Sequence, residues 1–431
     1  MKIAHCAAWN IADSPGGTEV YVDALVRELH AAGVDQAVLI PRETDETPGE
    51  FTHEGVPTFY YNPANDLEFE NLLARLRPDV FHLHAWTSTA GAKQFRVARV
   101  EGIPVVFTFH NYSPVCATDT LMRHGSRTCD GVIRKPTCSS CYLHNRGYAR
   151  PEAAVLASAA ALMAPFFRKP DAARRWRTLA SMFAGFSRRR NELLELGGEA
   201  AALVVPAFFL RDVLVRNGVD PGKIVVSRQG VAGSNSPLPK TEAGHGLRVG
   251  FVGRVEYLKG ADIIAGAVHL LPKSESITLD IIGPEGGVRG TKRDPEVFMK
   301  KMREFAVKDP RVRIWGALPY DELRARMASF DLLAVPSRWQ ETGPMTAMEA
   351  IALGVPVIGS DLGGIPETVK DGVNGRIVAS LDPGAWSRAL LEILENPAVL
   401  LAWKSACKPG RTMAHVAAEM LALYRQCLGK T

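Results

Sequence analysis

The sequence predicts an α/β protein built from two doubly wound parallel sheets. Two observations carry this reading. Short runs of apolar and β-branched residues alternate with stretches of helical periodicity along the 431 residues. Strands that are apolar throughout and separated by helices form parallel sheets covered on both faces. In addition, residues 230–246, GVAGSNSPLPKTEAGHG, are rich in Gly, Ser and Pro and have no periodicity. They read as a linker between two halves, each large enough for its own sheet.

In chain order, the first half has strand candidates at 3–8, 37–40, 58–61, 80–84, 105–109, 202–206 and 224–227. PGGTE at 15–19 lies between the first of these and an amphipathic helix at 20–30. Gly16 and Gly17 would let the backbone approach a ligand closely, although a plain flexible loop has the same residues. The second half has strand candidates at 247–252, 278–282, 312–315, 332–335, 355–359 and 375–378. A last amphipathic helix at 413–428 is free to pack back on the first domain. The domains expected are 1–232, with an insert at about 111–145 and a terminal segment 412–431, and 245–411.

Composition bounds the function. With 46% hydrophobic and 23% charged residues the chain can bury large cores. The formal net charge of +5 favours acidic partners without making a nucleic-acid binder. Lys2 leads straight into a strand pattern with no apolar leader, and no apolar run is long enough to span a bilayer. Seven cysteines, an odd number, fit a reducing compartment. A cytoplasmic protein is expected.

The densest chemistry lies at 332–367, LLAVPSRWQETGPMTAMEAIALGVPVIGSDLGGIPE. An apolar strand ends at Ser337, a loop carries Glu341, and Pro344 is placed to open a helix that Gly354 stops. Amides at that helix start make an anion site beside Gly343, Met345 and Thr346. Glu349, near the second turn, suits hydrogen bonds from ribose hydroxyls, and Glu341 suits those of a sugar. Earlier, GFVGRVEYLKG at 250–260 puts Arg254 and Lys259 at the mouth of a strand-to-helix loop, as a diphosphate needs. It lacks the glycine spacing of a dinucleotide fingerprint.

These motifs resemble the retaining glycosyltransferases of the GT-B superfamily, family 4 (group 1). The resemblance rests on VGRVEYLKG, LDIIGPEG, VRIWGALPYDEL and PSRWQETGPMTAMEAIALGVPVIGSDLGGIPETVKDGVNG in the second half. In the first half it rests on SPGGTE, FTFHNYSP and VPAFFLRDVLVRNGVDPGKIVV. It implies two Rossmann-like domains facing each other across a cleft. It also implies hexosyl transfer with retention from a UDP- or GDP-sugar to a glycan or lipid-linked acceptor, in polysaccharide or glycolipid assembly. Arg254 and Lys259 would hold the diphosphate, Glu349 the ribose, and Glu341 the sugar beside the 343–345 backbone. Gly17 would approach the diphosphate, and His110 would sit beside the reacting sugar. Thr342 stands where the family often has phenylalanine, and Gln229-Gly230 where it has Asn-Gly. No metal or other cofactor is implied for catalysis. The alternatives are a sugar-nucleotide epimerase or hydrolase of the same superfamily, or a non-catalytic sugar-nucleotide-binding subunit.

Two further features stand apart. Cys116, Cys129, Cys138 and Cys141 follow the spacing C-x12-C-x8-C-x2-C in a loop-like segment, with His124 and His144 nearby. They could hold a structural zinc ion, remain free thiols, or form disulfides in an exported protein. Residues 168–190 interleave arginines and a lysine with aromatics. That pattern suits either a membrane-surface helix near a lipid-linked acceptor or a helix with a solvated basic face.

Overall fold

The computed structural model describes residues 1–8, 17–42, 49–163, 174–231, 246–286, 295–408 and 410–429. The chain divides into two compact units. The first holds Met1–His124, Cys129–Ala232 and Arg411–Thr431; the second holds Gly125–Thr128 and Gly233–Gly410. Most of the linker predicted at 230–246 lies outside the described residues.

The first unit runs through β1 (Lys2–Cys6), α1 (Gly17–Ala31), β2 (Asp35–Pro41), β3 (Glu50–His53), β4 (Val56–Tyr61), α2 (Asp66–Leu76), β5 (Val80–Leu83), α3 (Ala92–Val100) and β6 (Val105–Thr108). After the short strands β7 (Met122–Arg123) and β8 (Arg127–Thr128), the latter among the residues grouped with the second unit, the first unit continues with α4 (Lys135–Asn145), α5 (Arg150–Met163), α6 (Arg174–Glu199), β9 (Ala202–Val205), α7 (Phe208–Arg216) and β10 (Ile224–Val226). The main sheet has the order β10-β9-β6-β5-β1-β2-β4-β3. Its pairs are parallel, as the apolar runs predict, except that β3 joins β4 antiparallel at the edge. Sequence reading misses β3 because EFTH is half exposed and has no apolar run. Tyr21, Val22, Leu25, Val26 and Leu29 form the buried face of α1 at helical spacing.

The second unit runs through β11 (Leu247–Val252), α8 (Ala261–Leu270), β12 (Ile277–Ile282), α9 (Pro295–Lys308), β13 (Val312–Gly316), α10 (Tyr320–Ala328), β14 (Leu332–Val335), α11 (Met345–Ala352), β15 (Val357–Ser360), α12 (Ile365–Thr368), β16 (Gly375–Val378), α13 (Pro383–Glu395) and α14 (Pro397–Ala406). Its sheet, β13-β12-β11-β14-β15-β16, is parallel throughout. One face buries Val249, Phe251, Ile263, Ile264, Trp386 and Leu390. The other buries Phe330, Leu333, Ala347, Val357 and Ile365. Strand order reverses between β11 and β14, and in such sheets the crevice at the strands' carboxyl ends takes ligands.

The terminal helix, α15 (Met413–Cys427), belongs to the first unit. Met413, Val416, Ala417, Met420 and Tyr424 recur at helical spacing and are buried against Tyr21, Val22 and Leu25 of α1. Thr412 pairs with Val231, which ties the helix start to the chain leaving β10. Among the described residues, no helix is long and apolar enough to cross a membrane.

Candidate functional site

In the second unit the chain leaves β11 through Gly253 and Arg254, makes a tight turn over Tyr257–Lys259, and enters α8 at Gly260. Gly260 has φ +75°, and a Cβ there would fall 1.9 Å from the Pro336 carbonyl oxygen at the end of β14. Only glycine lets the two loops approach this closely. Arg338 fastens them. Its guanidinium donates to the Tyr257 carbonyl (2.7 Å) and to both Asp262 oxygens (2.6 and 2.9 Å), and Lys301 also bonds Asp262 (2.8 Å).

This clamp places Lys259 Nζ 2.9 and 3.2 Å from the two oxygens of Glu341. Glu341 Oε1 also accepts from Ser337 Oγ (2.6 Å) and Trp339 Nε1 (2.8 Å). Burial opposes its ionisation, but the Lys259 ammonium and these hydrogen bonds outweigh that cost and hold the carboxyl below its ordinary range. Its backbone is pinned as well: Gly364 N–H donates to the Glu341 carbonyl at 2.7 Å. At Gly363, φ +60°, a Cβ would lie 2.5 Å from Glu341 N. Lys259 and Glu341, predicted to face different parts of a ligand, are therefore ion-paired with each other here.

Arg254 sits on the same loop as Lys259, with its side chain 47% exposed and 3.2 Å from Glu256. Gly343 and Pro344 follow Glu341. Pro344, at ψ 74°, stands just outside α11 rather than in its first turn as predicted, because its backbone has not yet turned helical. No side chain caps this helix start, where Met345 and Thr346 are partly exposed. Its dipole end is positive and favours an anion nearby, while the Met345 N–H donates to the Gly343 carbonyl (2.9 Å). Glu349, one turn on, is pushed up to about 7 by burial, against the opposing pull of Arg324. Sequence reading missed Ser337, Trp339, Arg338 and Asp262. The polar run SRWQ between strand end and Glu341 was the available signal.

In the first unit, Gly17 is the first residue of α1, so the helix begins earlier than the predicted 20–30, and Gly16 lies outside the described residues. His110 follows β6 and meets Tyr21 edge-on at 4.7 Å between ring centres. A chain of buried rings stands behind it. His110 Nε2 lies 3.3 Å from His84 Nδ1, His84 Nε2 lies 3.1 Å from His5 Nδ1, and His5 Nε2 lies 3.1 Å from Gln36 Oε1. Burial holds His5 at about 4 and His110 at about 3, and keeps His84 well below its ordinary value, so all three are neutral near pH 7. Each ring then carries one N–H. Gln36 Nε2 donates to the Val26 carbonyl (3.1 Å), which leaves Oε1 as acceptor for His5. By elimination His5 is protonated at Nε2, His84 at Nε2, and His110 at Nε2.

The four cysteines of the insert line one pocket in this unit, with Val115, Met122 and Phe186. Cys138 and Cys141 lie on α4, so the predicted loop is in part a helix, opened by Pro136 in its first turn. Of the basic stretch 168–190, residues 168–173 and the side chains of 174–184 lie outside the described residues; Phe186 is buried and Arg189 donates to the Ser113 carbonyl.

Comparison with known proteins agrees with this architecture. The family described as Glycosyltransferase Family 4 matches residues 15–232, about half of the chain, and that described as Glycosyl transferases group 1 matches residues 240–408. A D-inositol 3-phosphate glycosyltransferase of Corynebacterium efficiens is 35% identical over 153 residues, a match that spans 35% of this chain and 35% of that protein. Among solved structures, sucrose-phosphate synthase from Thermosynechococcus elongatus superposes with TM-score 0.68 at 17% identity, covering 100% of both chains. HepE from Anabaena in complex with UDP superposes with TM-score 0.61 at 14% identity, covering 99% of this chain and 98% of that one. Both share the fold, two Rossmann-like parallel-sheet regions of the GT-B kind. With half of its length matched by the family and its second unit matched by the group 1 description, the chain belongs to glycosyltransferase family 4.

Proposed function

We propose that the chain is a retaining, hexosyl-transferring glycosyltransferase that takes a sugar from a UDP- or GDP-sugar to a glycan or lipid-linked acceptor. The observation that carries this is the Lys259–Glu341 pair, held by Arg338 at the reversal between β11 and β14, beside Arg254 and the open start of α11. Cleavage of the anomeric C–O bond leaves negative charge on the diphosphate. Arg254, Lys259 and the positive end of α11 stabilise that charge as groups already in position. Glu349 accepts from the ribose and Glu341 from the sugar.

Glu341 Oε1 already takes bonds from Lys259, Ser337 and Trp339, which suits a positioning group rather than a nucleophile. The acceptor then attacks from the face the diphosphate leaves, and no covalent enzyme intermediate forms. Since leaving-group charge falls on side chains and amides, the step requires no metal. In the first unit, Gly17 and His110 are proposed to serve the donor and the reacting sugar on the resemblance alone. UDP bound to HepE favours a nucleoside diphosphate sugar as donor.

The test is a thermal-shift screen of nucleotide sugars, followed by NMR of the product made from the stabilising donor. One donor should raise the transition by several degrees, as mass action requires. Its anomeric configuration should survive in the product. An inverted product would refute retention, and turnover of the donor that needs no acceptor would favour a hydrolase or epimerase.

A further inference from the structure

We propose that Cys116, Cys129, Cys138 and Cys141 form a zinc site of four thiolates that staples the insert of the first unit. They come from three separate stretches of chain and meet around one pocket. Cys138 and Cys141, spaced i, i+3, share one face of α4. Cys129 follows β8 and is anchored by its N–H to the Leu121 carbonyl (2.8 Å), and Cys116 by its N–H to the Tyr112 carbonyl (2.7 Å). Cys141 Sγ accepts the His124 backbone N–H at 3.2 Å, a bond that steadies a thiolate ligand.

None of the four is in a disulfide. The nearby histidines are engaged elsewhere: His124 Nε2 with Ser140 Oγ (3.2 Å) and His144 Nδ1 with the Tyr148 carbonyl (2.9 Å). The four sulfurs by themselves make up a complete tetrahedral set, without either histidine. No three of the sulfurs lie within 4.8 Å of one another; the described trios that do are His5–His82–His84 and Asp23–His53–Glu54. The first is saturated by its own hydrogen bonds, and both carboxylates of the second are ion-paired with Arg27. Neutral thiols have nothing to draw them together. Zn–S bonds of about 2.3 Å would.

Full-length protein purified reduced and without chelator should contain about one zinc per chain, and cobalt exchange should give a thiolate-to-cobalt charge-transfer band. Cys138→Ser with Cys141→Ser should lose both. Should that variant fail to fold, Cys129→Ser alone should weaken zinc in chelator competition at least tenfold. Metal-free protein in which these four thiols are all reactive, disulfides among them by mass spectrometry, or iron with sulfide would each overturn the site.

A second inference rests on the ring chain and on the proposed role of His110. We infer that Gln36, His5 and His84 are positioning residues that fix the His110 tautomer, leaving Nδ1 as the acceptor nitrogen. Histidine 15N NMR of the full chain should show His110 protonated at Nε2 from about pH 6 to about pH 8. Gln36→Leu should mix the tautomers, lower kcat and leave the donor KM unchanged. Protonation at Nδ1 in the wild type would overturn the inference. The predicted tautomer together with full activity of His110→Ala would instead overturn the functional role of His110.

Discussion

Lys259 and Glu341 show how one contact serves both stability and chemistry. The carboxylate is buried, so removing its ammonium leaves an unpaired charge, at a cost of about 3–5 kcal/mol for a buried pair. Loss of activity in Lys259→Met alone would therefore be ambiguous. Combining it with Glu341→Gln removes the unpaired charge. The double variant should regain most of the lost Tm while kcat stays down by about 10²–10³, the range for loss of one preorganised charge-stabilising group. Calorimetry and initial rates on the same preparations check this; activity recovering along with Tm would reduce Lys259 to a structural role.

Glu349 adds a pH dependence. Its folded-state value, about 7, lies above that of an unfolded glutamate. The stability it contributes is complete below the ordinary glutamate value and is lost as pH rises to about 7, a change on the order of 3 kcal/mol. Ligand binding runs the other way, because the ionised carboxylate is the better acceptor for two ribose hydroxyls. Titration calorimetry should find the donor Kd tightening severalfold between about pH 6 and about pH 8, with a flat profile in Glu349→Gln. A flat wild-type profile would remove Glu349 from the ribose.

At the scale of elements, the loop after β11 and the loop after β14 act as one piece because Arg338 joins them through Asp262 and the Tyr257 carbonyl. Arg338→Ala should lower Tm and also cost about tenfold or more in kcat, since small misplacement of a catalytic group is expensive. A lowered Tm with unchanged kcat would show that the clamp only holds the fold. The sequence made much of this region legible. Apolar runs located β11 and β14 to the residue, and Gly354 stopped the helix. The clamp itself was not legible, because Asp262 and Arg338 are 76 residues apart and each alone looks like an ordinary surface charge. β3 was hidden for a related reason: its half-exposed EFTH lacks the apolar run that marks a strand buried on both faces. The tautomer of His110 could not be read from sequence either, since it is settled by rings contributed from separate strands.

At the scale of the molecule, the two units have separate apolar cores. Among the described clusters, one joins α1 and α15 to the first sheet, and two others cover the faces of the second. Separate cores predict separable unfolding. Met420, fully buried in the first unit, should on replacement by alanine lose about 2–5 kcal/mol, which identifies the first unit's transition in calorimetry. The donor nucleotide should raise the other transition more than that one, by about 2.7 kcal/mol at a hundred times its Kd. In the Lys259→Met, Glu341→Gln variant the nucleotide shift should shrink while the Met420→Ala shift remains. A nucleotide that stabilises the Met420-marked transition instead would move the donor out of the second unit and overturn the assignment of Arg254, Lys259 and Glu349 together.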